Sequence, residues 1–120
     1  MKKIKMFLIA AVALFAAHIS FAGAQDFVLV NATEHNILSV YASPSSRLLW
    51  EEDLLRGYLN SGDWTKFTFT GFNDDLWDIR IVYRDSKPDA IFTKLQLKKI
   101  VKIVLRDSVL GGTTATAHYL

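Results

Sequence analysis

The sequence predicts an all-β protein, a small antiparallel β-sandwich or barrel of six or seven strands with one short helix or ordered loop near residues 46–56. Three observations carry this. Apolar residues recur at every second position over short runs, which is the period of a strand. Gly, Pro, Asn, Asp and Ser punctuate those runs. And six or seven such runs fit into fewer than a hundred residues, the spacing of sandwiches and barrels.

Residues 1–24 precede the fold. Lys2, Lys3 and Lys5 make a basic start, residues 6–17 are an unbroken apolar run, and Ala22-Gly23-Ala24 supplies the small-x-small pattern read by signal peptidase. The run is shorter than the roughly 20 apolar residues a membrane-spanning helix needs. A cleavable secretory signal is therefore expected, cut after Ala24 or after Ala22, with no transmembrane segment following it. The short basic and apolar regions fit a bacterial signal and a periplasmic or secreted destination.

Cleavage changes the charge. Three of the 14 Lys and Arg lie in the signal, which leaves 11 against 12 acids and a formal charge of −1. The isoelectric point near 8.9 belongs to the precursor. A near-neutral domain without a basic run has little means of releasing counterions from phosphate backbones, which weighs against nucleic acid as a partner. The remaining 96 residues form one domain, and with no cysteine it is held by packing rather than disulfides.

Taken in order, 27–30 is an apolar run that ends in the turn-forming stretch 31–36, and 37–42 follows; the two read as a first hairpin. Residues 65–70 alternate, with Phe67 and Phe69 on one face. Residues 77–84 give the best strand: Trp77, Ile79, Ile81 and Tyr83 face one way, Asp78, Arg80 and Arg84 the other. Pro88 ends pairing after it. Residues 90–97 and 100–105 are two further strands, and 113–120 is either a last strand or a mobile tail beyond Gly111-Gly112. In 43–57, Ser45 or Ser46 caps and Gly57 terminates a one- or two-turn helix, unless the segment is an ordered crossing loop.

Chemistry-bearing residues are sparse. The sequence has no cysteine and no Gly-x-Ser-x-Gly, and His35 and His118 are the imidazoles of the mature chain. A small hydrolase would have to use one of them, yet one sits in a predicted turn and the other near the carboxyl end. Asp74, Asp75 and Asp78 crowd oxygen ligands before the best strand. They suit calcium, or a plain acidic turn whose side chains bond their own backbone. Trp50, Trp64 and the acidic edge Glu51-Glu52-Asp53 form the candidate binding surface. Trp64, in phase with Lys66, lies on an outer face, and either Trp serves as a binding anchor or packs beneath the 43–57 segment. The expected function is a non-enzymatic exported domain that binds a protein or a cell-envelope component, without a cofactor unless calcium binds.

Val30-Asn31-Ala32-Thr33, Tyr41 with Ser43-Pro44-Ser45, Trp50 with Asp53-Leu54-Leu55, and Trp77-Asp78-Ile79-Arg80 together give a pattern. It resembles that of a group of small secreted bacterial proteins of unknown function. Some members carry the label argininosuccinate lyase, which does not suit a short β-rich chain, since those lyases are large helical tetramers. The resemblance implies a shared small fold and lends no catalytic residue. Glu51 and Asp85-Ser86 depart from the group, which usually has Gly near the former and an Asp-Gly turn at the latter.

Overall fold

A computed structural model describes residues 24–47, 49–50, 52–70 and 75–120, without the side chains of residues 24, 25, 69 and 70. The predicted signal (all but its last residue), Glu51 and Asp74 lie outside the described residues. Seven strands follow in chain order: β1 (Ala24–Asn31), β2 (Ile37–Pro44), β3 (Trp64–Thr70), β4 (Trp77–Tyr83), β5 (Ala90–Leu95), β6 (Ile100–Asp107) and β7 (Thr113–Tyr119). They form two sheets, β3-β1-β6-β7 and β2-β4-β5, the two layers of a small β-sandwich. All neighbours are antiparallel except β1 and β6, which run parallel.

The expected first hairpin is corrected: β1 and β2 belong to different sheets. Both edges of β1 are already taken, one by β3 and the other by β6. The ladders run to its last residue and beyond, with Asn31 N–H donating to Asp63 O (2.9 Å) and Ala32 N–H to Leu105 O (2.9 Å). The chain must then leave the sheet, and it crosses to the other layer. This also explains why 27–30 is apolar at every position: a central strand is covered on both faces, and Phe27, Val28, Leu29 and Val30 are all buried.

Between the sheets lies one core. Phe27, Leu29, Phe67, Ile103 and Leu105 of the first sheet meet Ile37, Val40, Trp77, Ile79, Ile81 and Tyr83 of the second. Each fully buried side chain of this size contributes about 1.5–3 kcal/mol relative to exposure. Leu97 seals one end from a short 3-10 turn, Leu97–Lys99, so the expected strand 90–97 stops at Leu95. The segment after Gly112 is a full strand rather than a mobile tail; β7 pairs with β6 from Thr113 to Tyr119. Gly111 closes that hairpin at φ +94°, a conformation natural to glycine.

The 46–56 segment is the loop of the two alternatives. Residues 45–47 make a turn, and 49–55, where described, is irregular. Leu49 N–H donates to Ser43 Oγ at 2.7 Å, and Leu54 N–H to Val40 O at 2.8 Å. Asp53 Oδ1 accepts from both Val40 N–H and Leu55 N–H, each at 3.0 Å. Farther on, Leu59 and Ile37 exchange backbone hydrogen bonds of 2.9 and 3.0 Å. The segment thus runs along the outer edge of β2 and satisfies backbone groups that an edge strand would otherwise expose.

Candidate functional site

The same segment walls a groove of about 630 Å³ against β3. Leu54, Leu55, Leu59 and Phe67 supply its apolar floor, Tyr58 and Trp64 its aromatic lips, and Arg56, Asp63 and Lys66 its polar rim. Tyr58 is 54% exposed, and the Arg84 guanidinium stacks 3.9 Å from its ring centre, which holds the ring by cation–π attraction. Trp64 is half-buried against Val28, Val30 and Val104 on the outward side of its sheet, the face its phase predicts. Beside the groove, β3 is an edge: its strand neighbour among the described residues is β1 alone.

The sequence-derived binding residues divide. Trp64 lines the groove, while Trp50 is half-buried in the crossing segment and does not line it. Glu52 is exposed. Asp53 is spent on two backbone amides, so it shapes the segment instead of offering a free carboxylate. Tyr58 was not singled out by sequence reasoning. Its one signal is a tyrosine between Gly57 and Leu59 in a stretch without strand periodicity.

Of the candidate calcium ligands, Asp78 keeps the outward phase its strand predicts but is buried there, under the turn at Ser45 and the end of β5. It is 3% exposed, and its Oδ1 accepts from Ser45 Oγ (2.6 Å) and Lys94 N–H (3.0 Å). The carboxylate ties the turn after β2 and a kink in β5, where Lys94 has φ +55°, onto β4. Asp75 is exposed with Lys98 Nζ 3.7 Å away. Among the described residues no three His, Asp or Glu side chains are placed to hold a metal ion.

A second constellation stands at one end of the sandwich, where three connections meet. His35 Nδ1 lies 2.5 Å from Asp85 Oδ2, and its Nε2 lies 3.6 Å from Asp107 Oδ1. Lys87 Nζ pairs with Asp107 at 3.1 Å and donates to the carbonyls of Gly111 and Gly112. The His35 ring meets Tyr83 edge-on at 6.0 Å, and the Tyr83 hydroxyl shares a 2.7 Å hydrogen bond with Thr113. Burial raises the Tyr83 phenol pKa above its ordinary value, against the lowering effect of the Thr113 hydrogen bond. A carboxylate thus stands on the side of each His35 ring nitrogen, and the arrangement fastens the three connections together.

The two carboxylates give this end a pH dependence. The hydrogen bond from His35, then that from Lys87 N–H, holds Asp85 below its ordinary value of 3.8. At Asp107, partial burial pushes upward but is outweighed by Glu34 N–H and Lys87, so it too lies below 3.8. A lowered carboxylate stabilises the fold above its unfolded pKa and ceases to do so as pH falls through the folded one. Melting temperature is therefore expected to drop below pH 3.8, and Asp107→Asn to flatten that acid limb. An acid limb unchanged in the variant would remove Asp107 from the account.

No protein-family model and no curated protein matches the chain. Among solved structures, an NMR structure of a protein from Eubacterium rectale is similar in fold, with a TM-score of 0.59 at 12% identity. The match covers 85% of this chain and 95% of that one. The likeness concerns the fold alone, and it defines the class: small two-sheet β proteins.

Proposed function

We propose that this chain is an exported, non-enzymatic binding module that holds an extended segment of a cell-envelope protein against β3. The observation that carries the reading is the groove between the 54–59 segment and the β3 edge. Its volume falls within the roughly 300–1,000 Å³ of typical ligand sites. An extended peptide adds to a sheet edge through backbone hydrogen bonds and gains specificity from pockets that take alternate side chains. Here Leu54, Leu55 and Phe67 offer such a pocket, with Tyr58 and Trp64 to clasp what enters. Export rests on the pattern of residues 1–24, and among the described residues no helix is long and apolar enough to cross a membrane.

The reading is tested by selecting displayed peptides on the purified protein and measuring their affinities. Ligands with apolar residues at alternate positions are expected. Tyr58→Ala should weaken them about tenfold, as an aromatic anchor does. Because Tyr58 is more than half exposed, its removal should move the melting temperature by less than about 2 °C. Peptides that bind equally well to the variant would place recognition elsewhere on the surface.

A further inference from the structure

We propose that the outward face of the β3-β1-β6-β7 sheet is a docking surface for an anionic lipid membrane. The inference does not rest on the peptide reading, and the two surfaces meet at Trp64 and Lys66, which border both.

Strand register composes this face. One cross-strand row runs Lys66, Val28, Lys102, His118, and the next runs Trp64, Val30, Val104, Thr116; Arg106 stands one pair beyond, opposite Thr114. Asp26 is the acid among the described outward residues of these strands, 3.3 Å from Lys66. Three permanent cations against one acid leave a local charge of +2 on a mature chain whose formal total is −1. The face is thus net positive because it carries few acids.

The geometry selects the occupant. Lys66 and Lys102 sit two strands apart, about 10 Å at the usual strand spacing, and side chains stand off a sheet side by side. They do not converge on one small anion. They match several anionic groups spread over a plane, which is what a bilayer of acidic headgroups presents. Trp64 lies on the same face, and Trp favours the headgroup level of membranes. His118 reports on the surface. Partial burial, then the charges of Lys102 and Arg106, hold its imidazole below the ordinary 6.5. A layer of anions offsets that repulsion, so docking raises the His118 value and tightens as pH falls.

Purified protein should co-sediment with phosphatidylcholine vesicles containing phosphatidylglycerol at low salt, and release near 1 M salt, where the Debye length is only about 3 Å. Each basic residue near such a surface is worth about fivefold in partitioning, so Lys102→Gln with Arg106→Gln should cost about 25-fold. Lys94→Gln, on the other sheet, should cost little. NMR titration of His118 should show a higher pKa with the acidic vesicles than without. Equal binding to pure phosphatidylcholine, no binding at low salt, or equal losses for the Lys94 control would overturn the proposal. So would inorganic phosphate shifting His118 as far as the vesicles do, since that identifies a single-ion site.

Discussion

Replacing Phe27 by alanine is expected to lower stability by about 3–5 kcal/mol, the range for emptying an aromatic site in a close-packed core. Phe27 is 1% exposed, on the inner face of a strand paired on both sides, and its ring lies 5.5 Å from that of Phe67, tilted by 56°. Neither flanking strand can move inward to fill the space without breaking its ladder, so the cavity term is retained. For a domain of this size the loss corresponds to about 15–30 °C in melting temperature, a large part of the usual 5–15 kcal/mol total. Val109→Ala is the control, because Val109 is 101% exposed at the tip of the β6–β7 hairpin. Denaturant unfolding of both variants decides the matter; a Phe27 loss under about 1.5 kcal/mol would mean the core collapses around the gap. The substitution also bears on function. Phe67 leans on Phe27 from one side and lines the groove from the other, so Phe27→Ala should weaken ligand binding together with stability. Tyr58→Ala should weaken binding alone.

Short apolar and alternating runs were enough to place six strands and the inner face of β4, and left the seventh open, because burial on one face imposes a period of two on the sequence. It could not assign partners. The apolar run 27–30 and the following strand are adjacent in sequence, which favours a hairpin. The alternative, a central strand that has to leave its sheet, depends on β6, some seventy residues away. Asp78 shows the same limit at a single residue. Its phase pointed outward correctly, but the turn at Ser45 and the β5 kink cover that side of β4, and their two donors make burial of the carboxylate tolerable.

The candidate site was half legible. Trp64 could be found because an aromatic in phase with a lysine departs from the inward pattern. Tyr58 lies in a segment whose shape is set by backbone bonds to β2 and by the Asp53 carboxylate, and no local periodicity signals such a path. The loop-end cluster was invisible for a similar reason. His35, Asp85 and Asp107 are scattered through the chain and meet only because β1, β4 and β6 all end on the same side of the sandwich. A histidine in a turn says nothing by itself about which carboxylates will face it.

Asn31→Leu should cost about 2–4 kcal/mol, although the two side chains are close in size and leucine is the more apolar. Asn31 is 0% exposed, and its amide is used completely. Nδ2 donates to His35 O (2.8 Å) and Leu59 O (3.0 Å), while Oδ1 accepts from Thr33 N–H (3.2 Å) and Thr33 Oγ1 (2.6 Å). Leucine removes all four bonds. Three of the bereaved groups keep another partner, since Ile37 N–H still reaches Leu59 O and the Thr33 hydroxyl and His35 O still have each other. The penalty therefore falls mainly on the Thr33 amide, and it is this that holds the estimate below the cost of a fully orphaned cluster. Asn31→Asp separates hydrogen bonding from shape: it keeps the outline and the acceptor but loses both donors and buries a charge, so it should be the worse of the two. Denaturant unfolding orders the variants, and hydrogen exchange at His35 and Leu59 reads the local effect. If Leu were tolerated within about 0.5 kcal/mol, the amide would not be what sends the chain from one sheet to the other. If Asp is worst and exchange quickens at both residues, one side chain fixes the crossing, the loop that carries His35 and the Leu59 floor of the groove together.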